Sequence, residues 1–390
     1  MERIDISYSQ EQMEENQKRL GTPRPGLPRY YDRVPVAFCV VPRYFAPIFG
    51  VEYKEIFKDA KTQFHWLLQF EKYKMEHIPQ DVFTSPTIVM HPFFDNAIAS
   101  SGFGAEVIWP DNETLHAMPV IKSPDEIASF QVPTPDSGLV GQTIRWWQEM
   151  SELARDTKIT FNGQPGRVEM APLALNGLGP HGIATDLIGE ELYWWMLEYP
   201  EAYHQLMLKI TEGIMVFEEA ARKIDPRPRG AFSLSEDPAA VMSAEHFISN
   251  VAPYDLMLYG RFADPLYGRR HMHMCGNADH LLEALADVLK ITNFDIFGYQ
   301  IPLDRVRDVM GKRVALWGNI NPMMMKDGSR QEVYDACMNA LEILAPCGGL
   351  MLGDGANVCP GTPIENLAAF SQASAEYSRR HPELFTGAEA

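Results

Sequence analysis

Eight short apolar runs separated by longer stretches constrain this chain more than any single motif. Val34 to Val41, Thr87 to Met90, Gly166 to Leu173, Gly230 to Leu234, Arg269 to Met274, Ile291 to Phe297, Arg313 to Leu316 and Gly348 to Leu352 have the length and composition of buried strands. Between them Leu192 to Lys223, Ala278 to Leu289, Arg330 to Leu344 and Pro363 to Arg380 show helical spacing, and Leu303 to Met310 reads as a shorter helix of the same kind. Strands joined by crossover helices build a parallel sheet, and eight of them predict an α/β fold, a (β/α)₈ TIM-type barrel. Residues 1–35 are polar and broken by Thr22-Pro23-Arg24-Pro25-Gly26-Leu27-Pro28, so they are expected to form an N-terminal arm without a core of its own, with the barrel domain spanning 36–390.

Composition narrows the partners. Hydrophobic residues at 46% and charged residues at 22% describe an ordinary folded protein. The net charge of −18, with no cluster of Lys and Arg, argues against nucleic acid. Met1-Glu2-Arg3-Ile4-Asp5 lacks the basic and apolar regions of a signal peptide, and no run approaches the ~20 apolar residues that cross a bilayer, so no membrane association and a cytoplasmic location are expected. Five scattered cysteines fit a reducing compartment, with Cys39, Cys337 and Cys347 read as buried thiols.

The unusual residues gather at strand-to-helix junctions: Asn176-Gly177, Glu236-Asp237-Pro238, His273-Met274-Cys275-Gly276, Gly318-Asn319-Ile320-Asn321-Pro322, and the loop from Gly353 to Pro363. In a barrel all of these lie on the C-terminal face, where active sites form. His273, Cys275 and Cys359 offer an imidazole and two thiolates, a set that suits zinc with one coordination position open. Asp354, between glycines, is an alternative oxygen donor or a catalytic acid. Glu236 and Asp237 are the carboxylates expected to handle a proton or orient a ligand. His271 shares a strand face with His273 and is either a further ligand, a substrate contact or a core histidine. Asn176, Asn319 and Trp317 are candidate substrate contacts, with Asn319 also suited to bracing a turn. Trp317, Phe93 and Met323-Met324-Met325 suggest an aromatic-friendly mouth, although the same residues would serve as core packing.

The ordered segments His273-Met274-Cys275-Gly276, Trp317-Gly318-Asn319-Ile320-Asn321-Pro322 and Pro360-Gly361-Thr362-Pro363-Ile364-Glu365-Asn366 resemble those of the uroporphyrinogen decarboxylase-like superfamily. Ala171 to Glu190 and Glu236-Asp237-Pro238 through Phe247 agree with it, so the resemblance covers about residues 160 to 380. It implies the barrel and one of two activities. The porphyrinogen decarboxylases carry an Arg-rich N-terminal motif and a C-terminal Gly-His-Gly; Arg24 to Tyr44 does not reproduce the first, and Gly353-Asp354-Gly355 stands at the second. The other branch, the cobalamin-linked methyltransferases, holds zinc with a His-x-Cys pair, matched by His273 and Cys275, and with a loop cysteine. That cysteine usually falls about where Ala356 or Asp354 stands, whereas this chain offers Cys359.

The resemblance therefore implies a zinc-dependent methyltransferase that exchanges a methyl group between a small-molecule donor or acceptor and the cobalamin of a separate corrinoid protein. The leaning is toward O-demethylation of an aryl methyl ether. A metal-free decarboxylase and a methylcobalamin:thiol methyltransferase are the alternatives, and a homo-oligomer is allowed.

Overall fold

The structure, a computed structural model, describes residues 4–263 and 268–386. Five strands, Ala231–Ser235, Arg269–His273, Asn293–Asp295, Ala315–Ile320 and Leu350–Asp354, pair in sequence order, all parallel. Thr87–Met90 pairs in parallel with Gln164–Met170 to form a second arc. The first stave is reduced to a bridge at Val36, parallel to Leu352, with Leu352 N–H donating to Pro35 O at 2.9 Å and Ala37 N–H to Leu352 O at 3.0 Å. Pro35 has no N–H to give, which limits pairing along this run. On the opposite seam Gly179 N–H reaches Ser235 O at 2.8 Å. The result is a TIM barrel.

Alternation along the strands separates two environments. Phe232, Leu234, Met272, Phe294, Leu316, Leu350 and Leu352 are buried in the core shared with the helices. The intervening Ser233, Ser235, His271, His273, Asp295 and Trp317 keep solvent contact, so the strands' other face is polar and open. Helices Arg330–Leu344 and Ile364–Arg380 pack on one another; the first opens with a Ser329/Glu332 capping box.

Two helical expectations change. The stretch 192–223 is broken into Glu191–Glu198 and Pro200–Ile224, because Pro200 removes Tyr199 from helical backbone, φ −130° and ψ 54°. Residues 278–289 form a 3₁₀ turn, Asp279–Leu281, and a π-helix, Ala284–Leu289, which Lys290 ends at φ 54°. Near the N-terminus, Ile4–Ile6 is a strand that pairs in parallel with Ile159–Phe161, and helix Gln10–Leu20 follows. Ile6, Met13 and Tyr30 enter the same hydrophobic core as the barrel. Arg19 fastens the helix through Asp32 at 2.6 Å and Asp81 at 3.3 Å. Among the described residues no helix is long and apolar enough to cross a membrane.

Candidate metal centre

Two adjacent strands end together and bring three donors to one point. Ser235 pairs with His273 in register, so the residues just beyond each strand meet. One ligand atom each of Asp237, His273 and Cys275 lies within 4.8 Å of the others. The Asp237 carboxylate is fixed on both oxygens: Oδ1 accepts from Cys275 N–H at 2.7 Å and Oδ2 from Ser235 Oγ at 2.6 Å. His273 Nε2 stands 3.6 Å from Asp237 Oδ2.

The orientation of the imidazole follows from its other nitrogen. His273 Nδ1 lies 2.9 Å from the carbonyl of Asp295, which can only accept, so Nδ1 carries the proton and Nε2 turns its lone pair toward Asp237 and Cys275. The Asp295 carboxylate itself comes within 2.6 Å of His271 Nδ1. Ile296, next in the chain, has left-handed backbone at φ 53°. Such a conformation costs a β-branched residue on the order of 1–3 kcal/mol, and its place beside the site marks a backbone held for geometry.

Burial, and then the neighbouring Asp237 carboxylate, push the Cys275 thiol up to about 12. As a group on its own it stays protonated at neutral pH. A divalent cation among the three donors would reverse that preference, because metal binding displaces the thiol proton. One carboxylate oxygen, one imidazole nitrogen and one sulfur match the ligand types of zinc, and three ligands leave a fourth position open. The residues present fit the ion, with two anionic ligands balancing its charge.

The remaining expected residues separate. Cys359 is outside the 4.8 Å cluster; its sulfur lies 4.0 Å from Met323 Sδ. The loop that bears it is tied down by Gly355 N–H to Ile320 O, Val358 N–H to Cys39 O and Tyr44 Oη to Thr362 O, and Val358 is buried. Asp237, expected to handle a proton or orient a ligand, is the third donor beside His273 and Cys275 in this cluster.

Glu236 is not at the mouth. It is fully buried, and its oxygens accept from His181 N–H at 3.1 Å and Gly182 N–H at 2.8 Å, at the start of helix Pro180–Ile188. This is a helix-end carboxylate. Burial, with the Asp255 carboxyl beside it, raises Glu236 well above the ordinary carboxylate range, and burial raises Asp255 to about 8. Asp354 follows the alternation of Leu350 and Leu352, is fully buried, and accepts from Cys39 N–H at 2.9 Å; burial raises it to about 7.

Trp317 donates Nε1–H to Ala37 O at 3.1 Å and lines a cavity of about 410 Å³ with Cys39, His91 and Phe93. Asn176 donates to Leu178 O at 2.7 Å, its Oδ1 buried without a partner, and lines a smaller cavity of about 170 Å³. Asn319 is buried and donates to Gly298 O at 3.4 Å, which braces that turn. His271 has its Nε2 buried without a partner. Sequence reasoning missed Asp295, hidden inside an apolar run. Cys39, expected as a buried thiol, is half-buried; its thiol contacts Asn357 Oδ1 at 3.0 Å and is raised to about 12 by burial, Asp354 and Cys275.

Residues 30–377 match the family Uroporphyrinogen decarboxylase (URO-D). The chain belongs to the uroporphyrinogen decarboxylase family. Among curated members of the uroporphyrinogen decarboxylase family and its relatives, it is 24% identical over 281 residues to a uroporphyrinogen decarboxylase from Syntrophotalea carbinolica, covering 71% of this chain and 76% of that protein. It is 25% identical over 213 residues to a methylated-thiol–coenzyme M methyltransferase from Methanosarcina mazei, covering 53% and 54%. A solved methyltransferase from Methanosarcina mazei superposes with a TM-score of 0.63 at 17% identity, over 89% of this chain and 94% of that one, a likeness of fold.

Proposed function

We propose that this member of the family is a zinc-dependent methyltransferase that exchanges a methyl group between a small methylated substrate and the cobalamin of a separate corrinoid protein. The observation that carries the reading is the convergence of Asp237, His273 and Cys275 within 4.8 Å at adjacent strand ends. Zinc bound there would act as a Lewis acid that holds a thiol as thiolate or makes an ether oxygen a better leaving group. The chain's own residues prepare the place. Asp295 fixes the imidazole tautomer through its carbonyl, Ser235 and the Cys275 N–H orient the Asp237 carboxylate, and Asp237 with Cys275 supplies negative charge to the cation. Trp317 and Phe93 give the cavity they share with Cys39 and His91 an aromatic wall, which favours an aryl methyl ether and hence O-demethylation. A relative named for methyl transfer, 25% identical over 213 residues, supports the assignment.

The test is zinc quantification on purified protein combined with the absorbance change of methylcobalamin formation or loss, against methoxylated aromatics, methylamines, methanol and thiols. Near-stoichiometric zinc and chelator-sensitive transfer are expected; transfer only to thiols would select the methylcobalamin:thiol alternative. A second reading, metal-free decarboxylation, is supported by the 24% identical decarboxylase. Zinc-free protein that releases carbon dioxide despite chelator would overturn the methyltransferase reading in its favour.

A further inference from the structure

We propose that the N-terminal end of the barrel, beneath the strand layer that holds His273, contains a second binding site, one for a small oxyanion of the phosphate class. A cavity of about 560 Å³ lies there among the starts of the strands at Arg269, Asn293, Ala315 and Gly349, and the arm segment around Arg24 covers it. In a chain of net charge −18, three guanidinium groups, those of Arg24, Arg269 and Arg313, line this one cavity.

Their partners differ. Arg313 is tethered to Asp287 at 2.6 Å and to the Val309 carbonyl. Arg24 and Arg269 make no ion pair with any described residue. The acid in the lining, Asp295, is already engaged 2.6 Å from His271 Nδ1. All three side chains are exposed to solvent, so the charge of Arg24 and Arg269 is solvated and free to meet an anion in the concave space, and a guanidinium presents its donors in a fork that matches phosphate oxygens. Thr292 and Asn293 add polar side chains to the same wall.

The backbone is shaped to keep Arg24 in place. Gly348 and Gly349 have φ of 73° and 72°, and a Cβ on Gly348 would stand 2.3 Å from Arg24 O, one on Gly349 2.8 Å from Pro25 N. Only glycines let the arm lie this close. Deeper in the cavity are Asp295, Trp317 and Met351, which share a register layer with His273. The cavity therefore has room above the arginines for the organic part of a phosphate monoester, with an indole to meet it.

The experiment is thermal denaturation and calorimetric titration of the full chain with inorganic phosphate and with phenyl phosphate, against sodium chloride at matched ionic strength. A phosphate-specific rise in melting temperature is expected in the wild type. Arg24→Gln and Arg269→Gln should each weaken binding about tenfold while their circular dichroism stays unchanged. Cys275→Ser should bind as the wild type does, which separates this site from the metal centre. Tighter binding of phenyl phosphate supports a monoester and equal binding a free oxyanion. A wild type that responds no more to phosphate than to chloride, or arginine variants that bind undiminished, overturns the proposal.

Discussion

The carbonyl of Asp295, 2.9 Å from Nδ1 of His273, commits the imidazole proton to the neighbouring strand and leaves the bare nitrogen for Asp237 and Cys275. A donor set oriented this way should hold zinc with little rearrangement. Cys275→Ser, His273→Ala and Asp237→Ala are each expected to lower zinc affinity by tenfold or more, as even loss of an outer-shell partner commonly does. Cys359→Ser is expected to retain full metal content, measured by plasma emission after gel filtration. Loss of zinc from that variant would return Cys359 to the ligand set.

Metal should also report through stability. A ligand that binds the folded state alone at a thousand times its dissociation constant adds about 4 kcal/mol. Chelation of wild-type protein is therefore expected to lower its melting temperature by several degrees, and restoring zinc to recover it. Cys275→Ser should show neither response; a shift of wild-type size in that variant would separate the stabilising metal from this centre.

Gly179 and Glu236 test whether the buried carboxylate is structural. A Cβ at Gly179 would lie 2.0 Å from Glu236 Oε1, so Gly179→Ala must displace a carboxylate that caps helix Pro180–Ile188. A loss of ~1–3 kcal/mol is expected in urea denaturation. Glu236→Gln should lose a similar amount, because an amide offers one acceptor oxygen to two backbone donors. If Glu236→Gln kept wild-type stability but lost activity, the residue would be a catalyst after all.

The Asp354 carboxyl gives a pH signature. Burial raises it from 3.8 to about 7, so across that window the folded state holds its proton more tightly than the unfolded chain does. Its contribution to stability accordingly falls as pH rises from about 4 to about 7, by at most about 1.4 kcal/mol per pH unit. Asp354→Asn, which keeps an oxygen for Cys39 N–H, should gain on the wild type across this interval. A stability difference that stays flat with pH would assign the group an ordinary titration.

The periodicity of the chain made most of the barrel readable. The run Arg269 to Met274 contains the observed strand Arg269–His273, and Gly348 to Leu352 overlaps Leu350–Asp354, because burial against helices demands the same apolar alternation that sequence displays. Ile4–Ile6 was not legible, being three residues long and stabilised by a distant partner, Ile159–Phe161. At the site, the approach of His273 and Cys275 could be read from their spacing at one strand's end. The approach of Asp237 could not: it opens the 3₁₀ helix Asp237–Val241 on a neighbouring strand's end, whereas Cys359 lies in a loop pinned through residues 355–362. Glu236 was misplaced for a related reason, since adjacent carboxylates at a turn give no sign of which one the helix Pro180–Ile188 will bury.

The joint between Cys39 and Asp354 links positions 315 apart in the chain. During synthesis the first stave leaves the ribosome long before Leu352, the residue that bridges to Val36, exists. The ring closes only once Leu350–Asp354 has followed the other strands. Cellular production of this protein should therefore depend on whatever shields an open, half-built cylinder, and chains that stop short of the final strand should be substrates for proteolysis rather than smaller working enzymes.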